Sequence, residues 1–266
     1  MFRSTSRAER AAPLHRLGTG LVLPVLLASA CAPKVVVGTW TCPALDASPL
    51  TSLDVPWTTG FENGFCDYAR VGGVCFGDPG TAYQIVDSPV HGGLHAAAFS
   101  VISNPANNGT QARCYVQGTL PVAASYGAWF YLPSVVTSAS NWNLVHFQGG
   151  DPAAWHSLWD VSIETTADGN MSLYVYDDFG SAVRRPQVAT PIPVAQWFHV
   201  EFRLVRAKDS TGEVALYQDG VLLLKLTGIV TDDTDLGQWF VGNRAGALTP
   251  PNFTLYVDDV TMRASP

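Results

Sequence analysis

The feature that most constrains this 266-residue chain is a series of short apolar segments that begins near residue 58. These segments are rich in Val, Ile, Phe, Tyr and Trp, and Gly, Pro, Asn and Asp separate them at intervals of about ten residues. No segment keeps a helical period over three turns. Because short strands closed by turn residues are typical of antiparallel sandwiches, the sequence predicts one all-β sandwich domain over residues 58–266.

A hairpin over residues 212–226, GEVALYQDGVLLLKL, is the clearest local prediction. Two apolar segments flank Asp219-Gly220, a pair suited to the positive φ angles of a two-residue turn. Two further segments, 197–204 and 158–164, alternate in the manner of half-buried strands. In the first, the residues in step with Phe198 are expected to face the core, and in the second those in step with Trp159.

Four motifs together resemble a known group of folds. The motifs are GFENG at 60–64, QWFHVEFRL at 196–204, YQDGVLL at 217–223 and LYVDDV at 255–260. They look like the concanavalin A-like, laminin G-like jelly rolls, and the middle of the chain, 126–177, resembles the polysaccharide-lyase branch. The resemblance implies a jelly-roll β-sandwich of two antiparallel sheets with a ligand groove on one sheet. Such folds host lectins, glycosidases, lyases and adhesion modules, so the fold alone does not select an activity.

Candidate site residues are those that alternate away from the core on neighbouring middle strands. The substrate-binding candidates are Arg113, Tyr115, Gln117, Trp142, Gln148 and Asp160, and the catalytic candidates are His146, Tyr174 and Tyr176. Aromatic faces pack on the CH groups of sugars, while amides, carboxylates and guanidinium groups bond hydroxyls. This composition suits a polysaccharide ligand.

The strand NWNLVHFQGGD, residues 141–151, carries the most specific expectation. Strict alternation places Trp142 at the rim of the groove and His146 and Gln148 within it, with Val145 and Phe147 facing the core. A His146 exposed in the groove would support a role in recognition or catalysis. A buried His146 would argue against both.

Hydrolysis is disfavoured by spacing. A glycosidase needs two carboxylates about 5 to 9.5 Å apart. Asp160 and Glu164 share a face, but four residues at about 3.3 Å each separate them by roughly 13 Å. The glucanase strand motif ExDxE is therefore not reproduced here.

β-Elimination across a uronic acid makes fewer demands. The sugar carboxylate must be neutralised, which Arg113 and Gln148 suit, and protons must be transferred, which His146 and Tyr174 or Tyr176 suit. Alginate-lyase-like jelly rolls carry a Gln-x-His strand, and residues 146–148 have the reverse order. Polysaccharide binding without cleavage is therefore the first hypothesis, a uronate lyase is the alternative, and a structural or adhesion module is third.

The first thirty residues are expected to be an export signal. Four Arg precede an apolar run, Leu17 to Ala30, that is too short to span a bilayer of about 30 Å. The following Ala28-Ser29-Ala30-Cys31 resembles a bacterial lipobox, which implies a lipid on Cys31. Residues 31–57, rich in Pro and small residues, are expected to tether the domain to the cell envelope, at the outer membrane or cell surface.

The remaining cysteines, Cys42, Cys66, Cys75 and Cys114, are even in number and lack zinc-like spacing, so two disulfides are expected. Three connectivities are possible; pairing Cys66 with Cys75 would close a short loop and leave Cys42 for Cys114.

The acidic balance of the chain bears on its partners. The net charge is −7, and residues 1–30 contribute four Arg and one Glu, so the exported part is more acidic still. That balance argues against nucleic acid and leaves the N-terminal lipid as the only membrane contact. No cofactor is required, although Glu62, Asp258 and Asp259 suggest a structural calcium site.

Overall fold

Strands dominate the chain, as the short alternating segments predict. The computed structural model describes residues 42, 53, 55–104, 106 and 109–265; the predicted signal, Cys31 and most of the predicted tether lie outside them. The first elements are β1 (Trp57–Thr59), α1 (Cys66–Ala69), β2 (Val74–Gly77), β3 (Ala82–Val86), β4 (Ala96–Ile102), β5 (Thr110–Gly118), β6 (Ala123–Tyr131), β7 (Thr137–Ser138) and β8 (Trp142–Asp151). The rest are β9 (Ala154–Thr165), β10 (Met171–Asp177), β11 (Ala182–Arg184), β12 (Trp197–Val205), β13 (Gly212–Gln218), β14 (Val221–Ile229), β15 (Leu236–Ala245), β16 (Leu248–Thr249) and β17 (Asn252–Ala264).

Two large antiparallel sheets form the sandwich. One has seven strands in the order β11-β10-β9-β8-β15-β5-β2. The other has eight, in the order β14-β13-β12-β6-β17-β4-β3 with β1 paired to β17. The all-β jelly-roll architecture predicted from the sequence is confirmed. Among the described residues, no helix is long and apolar enough to cross a bilayer.

The core lies between the two sheets and follows the predicted alternation. Phe198 and Phe202 of β12 and Trp159 and Val161 of β9 are fully buried in it. The predicted hairpin joins β13 to β14, and Asp219 and Gly220 have φ angles of 51° and 78°. Both turn residues thus adopt the left-handed backbone that the turn requires.

The alternation of β8 is broken once, and this corrects the prediction for Trp142. A register shift lies between Asn143 and Val145, where Leu144 and Val145 both turn to the core. An extra residue in a strand moves the side chains on one side of it to the opposite face of the sheet. Trp142 is therefore fully buried rather than at a groove rim, and its Nε1 donates to Oδ1 of Asn243 at 3.1 Å.

The disulfide pairing differs from the expected one. Cys42 bonds to Cys66 of α1, and Cys75 of β2 bonds to Cys114 of β5. The pairing of Cys66 with Cys75 was wrong because β2 lies beside β5, with Cys75 directly opposite Cys114 in the register. The expectation of two disulfides is confirmed.

Candidate functional site

The outer face of the seven-stranded sheet, which points away from the core, carries one continuous row of directly opposed residues. Starting from β5 and ending at β10, the row is Tyr115, Phe240, His146, Asp160 and Tyr176. We call it the central row. Because each step joins neighbouring strands about 4.8 Å apart, the row runs across the strands rather than along them.

A cavity of about 320 Å³ lies over the β9 and β10 end of this row. Its lining is mainly polar: Asn141, Ser157, Asp160, Ser162, Tyr174, Tyr176, Asp178, Val183 and Arg244. Tyr174, Tyr176 and Asp178 are two residues apart along the chain, which places all three on the same side of the sheet. The cavity therefore combines one cation, two phenols and two carboxyl groups.

His146 lies on the outer face of the seven-stranded sheet, but its side chain is covered and the residue is only 4% exposed. Its Nδ1 makes a short hydrogen bond with Oδ1 of Asp160 on the neighbouring strand. Burial lowers the pKa of His146, which leaves the imidazole neutral. Although burial opposes ionisation of Asp160, His146 and the nearby arginines hold the pKa of that carboxyl below its usual range. The pair is thus a neutral imidazole that donates from Nδ1 to a carboxylate.

Arg113 is buried beside this pair, and burial lowers its pKa to about 9, so it remains charged at neutral pH. Its guanidinium carbon lies 4.5 Å from the centroid of the Phe240 ring. Gly242 lies directly opposite with φ +145°, and a Cβ there would lie 2.7 Å from Cα of Arg113. A glycine is therefore required for β15 to approach Arg113 this closely.

Two groups in the cavity have pKa values that suit proton transfer. Burial, together with Asp160 and Asp177, raises the pKa of Asp178 to about 6. Burial also raises the pKa of Tyr174, so its phenol keeps its proton. A carboxyl group that titrates near neutral pH beside protonated phenols is an arrangement found at sites of acid–base chemistry.

The structure divides the predicted site residues into four groups. Asp160, Tyr174 and Tyr176 line the cavity, His146 and Arg113 are buried beside it, and Trp142 belongs to the core. Tyr115, Gln117 and Gln148 lie on the outer face but do not line the cavity. Gln117 and Gln148 are both opposite Gln238, whose Nε2 donates to Oε1 of Gln117, so an amide row runs beside the central row.

Sequence reasoning missed Arg244 and Asp178. Arg244 follows Phe240 and Gly242 at even spacing on β15, so the alternation of this strand could have identified it. Asp178 follows the last residue of β10 in step with Tyr176, but its raised pKa depends on groups from distant parts of the chain. No local pattern signals that property.

The three carboxylates predicted to bind calcium lie near the eight-stranded sheet and form hydrogen bonds with the loop over residues 91–95. Glu62 accepts from the backbone N–H groups of Leu94 and His95 at 2.8 and 3.0 Å. Asp258 accepts from backbone N–H groups of the same loop, and Asp259 contacts Nδ1 of His91 at 2.6 Å. Within the described part of the chain, no three His, Cys, Asp or Glu form a metal-holding group. Calcium stays a prediction.

Neither a protein-family model nor a curated protein matches this chain. Solved structures do match in fold. An endo-β-1,4-glucuronan lyase from the fungus Trichoderma reesei aligns with TM-score 0.57 and 18% identity, over 72% of this chain and 90% of the lyase. A marine alginate lyase from Aplysia kurodai aligns with TM-score 0.54 and 11% identity, over 79% and 98% of the two chains. A cellulose induced protein, Cip1, aligns with TM-score 0.55 and 13% identity, over 78% and 97%. At these identities the likeness establishes that the chain shares a β-sandwich fold with these proteins.

Proposed function

We propose that this protein is a polysaccharide lyase that cleaves a uronic-acid polymer by β-elimination in the cavity over β9 and β10. The observation that carries the proposal is the meeting of Arg244, Tyr174 and Asp178 in that single cavity. They supply the cation, the proton donor and the proton acceptor that elimination needs. The structural neighbours that act on glucuronan and alginate support the same reaction class.

In the proposed step, Arg244 binds the uronate carboxylate and stabilises the negative charge that develops beside it. The Asp178 carboxylate removes the proton on the carbon next to that carboxylate. The electron pair released forms a carbon–carbon double bond as the bond to the glycosidic oxygen breaks. The leaving oxygen takes the phenol proton of Tyr174. A base with a pKa of about 6 is ionised at neutral pH and still basic enough to accept this proton.

His146 has a positioning role in this scheme. Its burial rules out the direct contact with substrate that an exposed groove histidine would make. Through Nδ1 it fixes the Asp160 carboxylate, which lies between His146 and Tyr176 in the central row. The negative charge of Asp160 in turn contributes to the raised pKa of Asp178.

The test is a panel of uronate polymers followed by ultraviolet absorbance of the unsaturated product. Wild-type protein is expected to raise the absorbance on at least one polymer, and Arg244→Gln and Asp178→Asn are expected to lower the rate at least about a hundredfold. Arg203→Gln, an exposed arginine of the eight-stranded sheet, is the matched control and should keep the full rate. Cleavage that survives in Arg244→Gln and Asp178→Asn would overturn the assignment.

Polysaccharide binding without cleavage is the second candidate. The amide row of Gln117, Gln238 and Gln148 favours it, because these side chains can bond sugar hydroxyls without transferring protons. Polymer retention with no unsaturated product from wild-type protein would establish this function instead.

The N-terminal sequence supports a proposal for the place of action. We propose that Cys31 carries a lipid that holds the domain in a bacterial cell envelope, at the outer membrane or cell surface. Cys31→Ser is expected to move the protein from the membrane fraction to the soluble fraction. An unchanged distribution would contradict the anchor.

A further inference from the structure

Three aromatic rings cluster at the end of the central row that lies farthest from the cavity. Tyr115 and Phe240 have ring centroids 5.0 Å apart, and Phe76 of β2 lies 6.0 Å from Tyr115 and 6.4 Å from Phe240. Phe240 is almost fully buried, whereas Phe76 and Tyr115 are partly exposed. Phe240 thus supports two rings that solvent can reach. We call Phe76 and Tyr115 the aromatic platform.

The platform belongs to the same row as the cavity. From Tyr115 to Tyr176 the central row makes four steps between adjacent strands. At about 4.8 Å a step, the platform lies roughly 19 Å from the β10 side of the cavity. The distance exceeds the length of a disaccharide and matches a chain of several sugar rings.

The surface beside the platform is suited to sugars. The amide row of Gln117, Gln238 and Gln148 runs parallel to the central row and offers donors and acceptors for hydroxyl groups. The rings offer flat apolar faces of the kind that pack on sugar CH groups. Such a combination of flat aromatic faces and fixed polar groups is usual in carbohydrate sites.

We propose that Phe76 and Tyr115 form a sugar-stacking subsite for the same polysaccharide chain whose cleavage takes place in the cavity. This inference rests on the proposed function for the identity of the polymer. The chain lies across the strands along the central row, with one ring on the platform and a uronate in the cavity. The protein therefore acts on polymers and long oligosaccharides in preference to disaccharides.

The experiment is a binding titration with uronate oligosaccharides of increasing length and with the polymer. Asp178→Asn serves as the background because it should not cleave the ligand. Adding Tyr115→Ala or Phe76→Ala is expected to weaken polymer binding about tenfold and to leave disaccharide binding unchanged. Tyr115→Leu, which keeps apolar volume without the flat ring, should give the same loss. Tyr83→Ala, which removes an exposed aromatic ring of the other sheet, is the matched control and should have no effect.

The outcomes separate the two proposals. Equal polymer affinity in the platform variants and the background would overturn the subsite, whatever the catalytic result. Weaker polymer binding in the platform variants, with no cleavage by wild-type protein, would uphold the subsite and overturn the lyase. If no uronate polymer binds, both the sugar-stacking subsite and the proposed lyase function would be contradicted.

Discussion

His146 and Asp160 lie directly opposite each other on β8 and β9, and Nδ1 of the imidazole bonds to the carboxylate on the outer side of the sheet. Because both groups are largely buried, removing the imidazole leaves the Asp160 carboxylate without its main hydrogen-bond partner. His146→Leu is therefore expected to lower the free energy of unfolding by about 2 kcal/mol, measured by urea denaturation. Asp160→Asn keeps an acceptor for Nδ1 and should cost about half as much. Equal losses would show that the hydrogen bond is not what stabilises the pair.

Arg206 and Asp232 form a buried ion pair, with Nε donating to Oδ2 at 2.6 Å and the two side chains 8% and 2% exposed. The other two guanidinium nitrogens of Arg206 donate to backbone carbonyls, among them that of Leu120 at 2.7 Å. Arg206→Met is expected to lower the free energy of unfolding by about 3 kcal/mol, because it leaves the buried carboxylate of Asp232 without its charged partner.

The matched control for Arg206 is Lys208→Met. It breaks the Lys208–Asp235 pair, where the two side chains are 57% and 87% exposed. Exposed pairs contribute at most about 1 kcal/mol, so this loss should be small. Similar losses for the two variants would contradict the role assigned to the Arg206 network.

The raised pKa of Asp178 predicts a stability change with pH. In the folded protein this carboxyl has a pKa of about 6 against an ordinary value of 3.8, so the folded state binds more protons between these values. Its contribution to stability therefore falls as pH rises through that window and stays lost above it. Asp178→Asn should stabilise the protein by about 1 kcal/mol at about pH 8 and have no effect near pH 3. The gain at pH 8 is small because solvent screens this half-buried group. Thermal melting at both pH values measures the difference; a gain at low pH alone would refute it.

The same group sets the pH dependence of the proposed reaction. Since Asp178 must be ionised to accept a proton, kcat/KM on a uronate polymer should rise with pH through about 6 and then level off. Asp160→Asn should lower this midpoint, because the negative charge of Asp160 contributes to the raised pKa of Asp178. A purely structural role for Asp160 would lower the rate without moving the midpoint.

The sandwich was predictable because core-facing and outward-facing residues alternate along its strands. In 198–204 the residues in step with Phe198 are buried, and in 159–163 those in step with Trp159, as alternation predicts. Asp219-Gly220 turns the hairpin. The facing of Trp142 was not predictable in this way. The register shift after Asn143 reflects how β8 meets two neighbouring strands, and nothing in the local composition records it.

The candidate site was predictable in part for the same reason. Alternation identifies Tyr174 and Tyr176, and it would have identified Arg244 from β15. Two properties come instead from packing between strands that are distant in sequence. These are the burial of His146 and the raised pKa of Asp178, which results from burial and from the nearby charge of Asp160. The disulfide of Cys75 with Cys114 also depends on which strands become neighbours.

The most direct test of the lyase proposal is the mass of the products when a uronate polymer is digested in water enriched in heavy oxygen. Elimination adds no water, so the account predicts products with an unsaturated terminal ring, one water lighter than hydrolysis products, and no heavy oxygen. Asp178→Asn should give no such products under the same conditions. Products that carry heavy oxygen and full-mass ends would show hydrolysis, and intact polymer across the whole uronate panel would show that the protein does not cleave it. Either result would contradict the central claim.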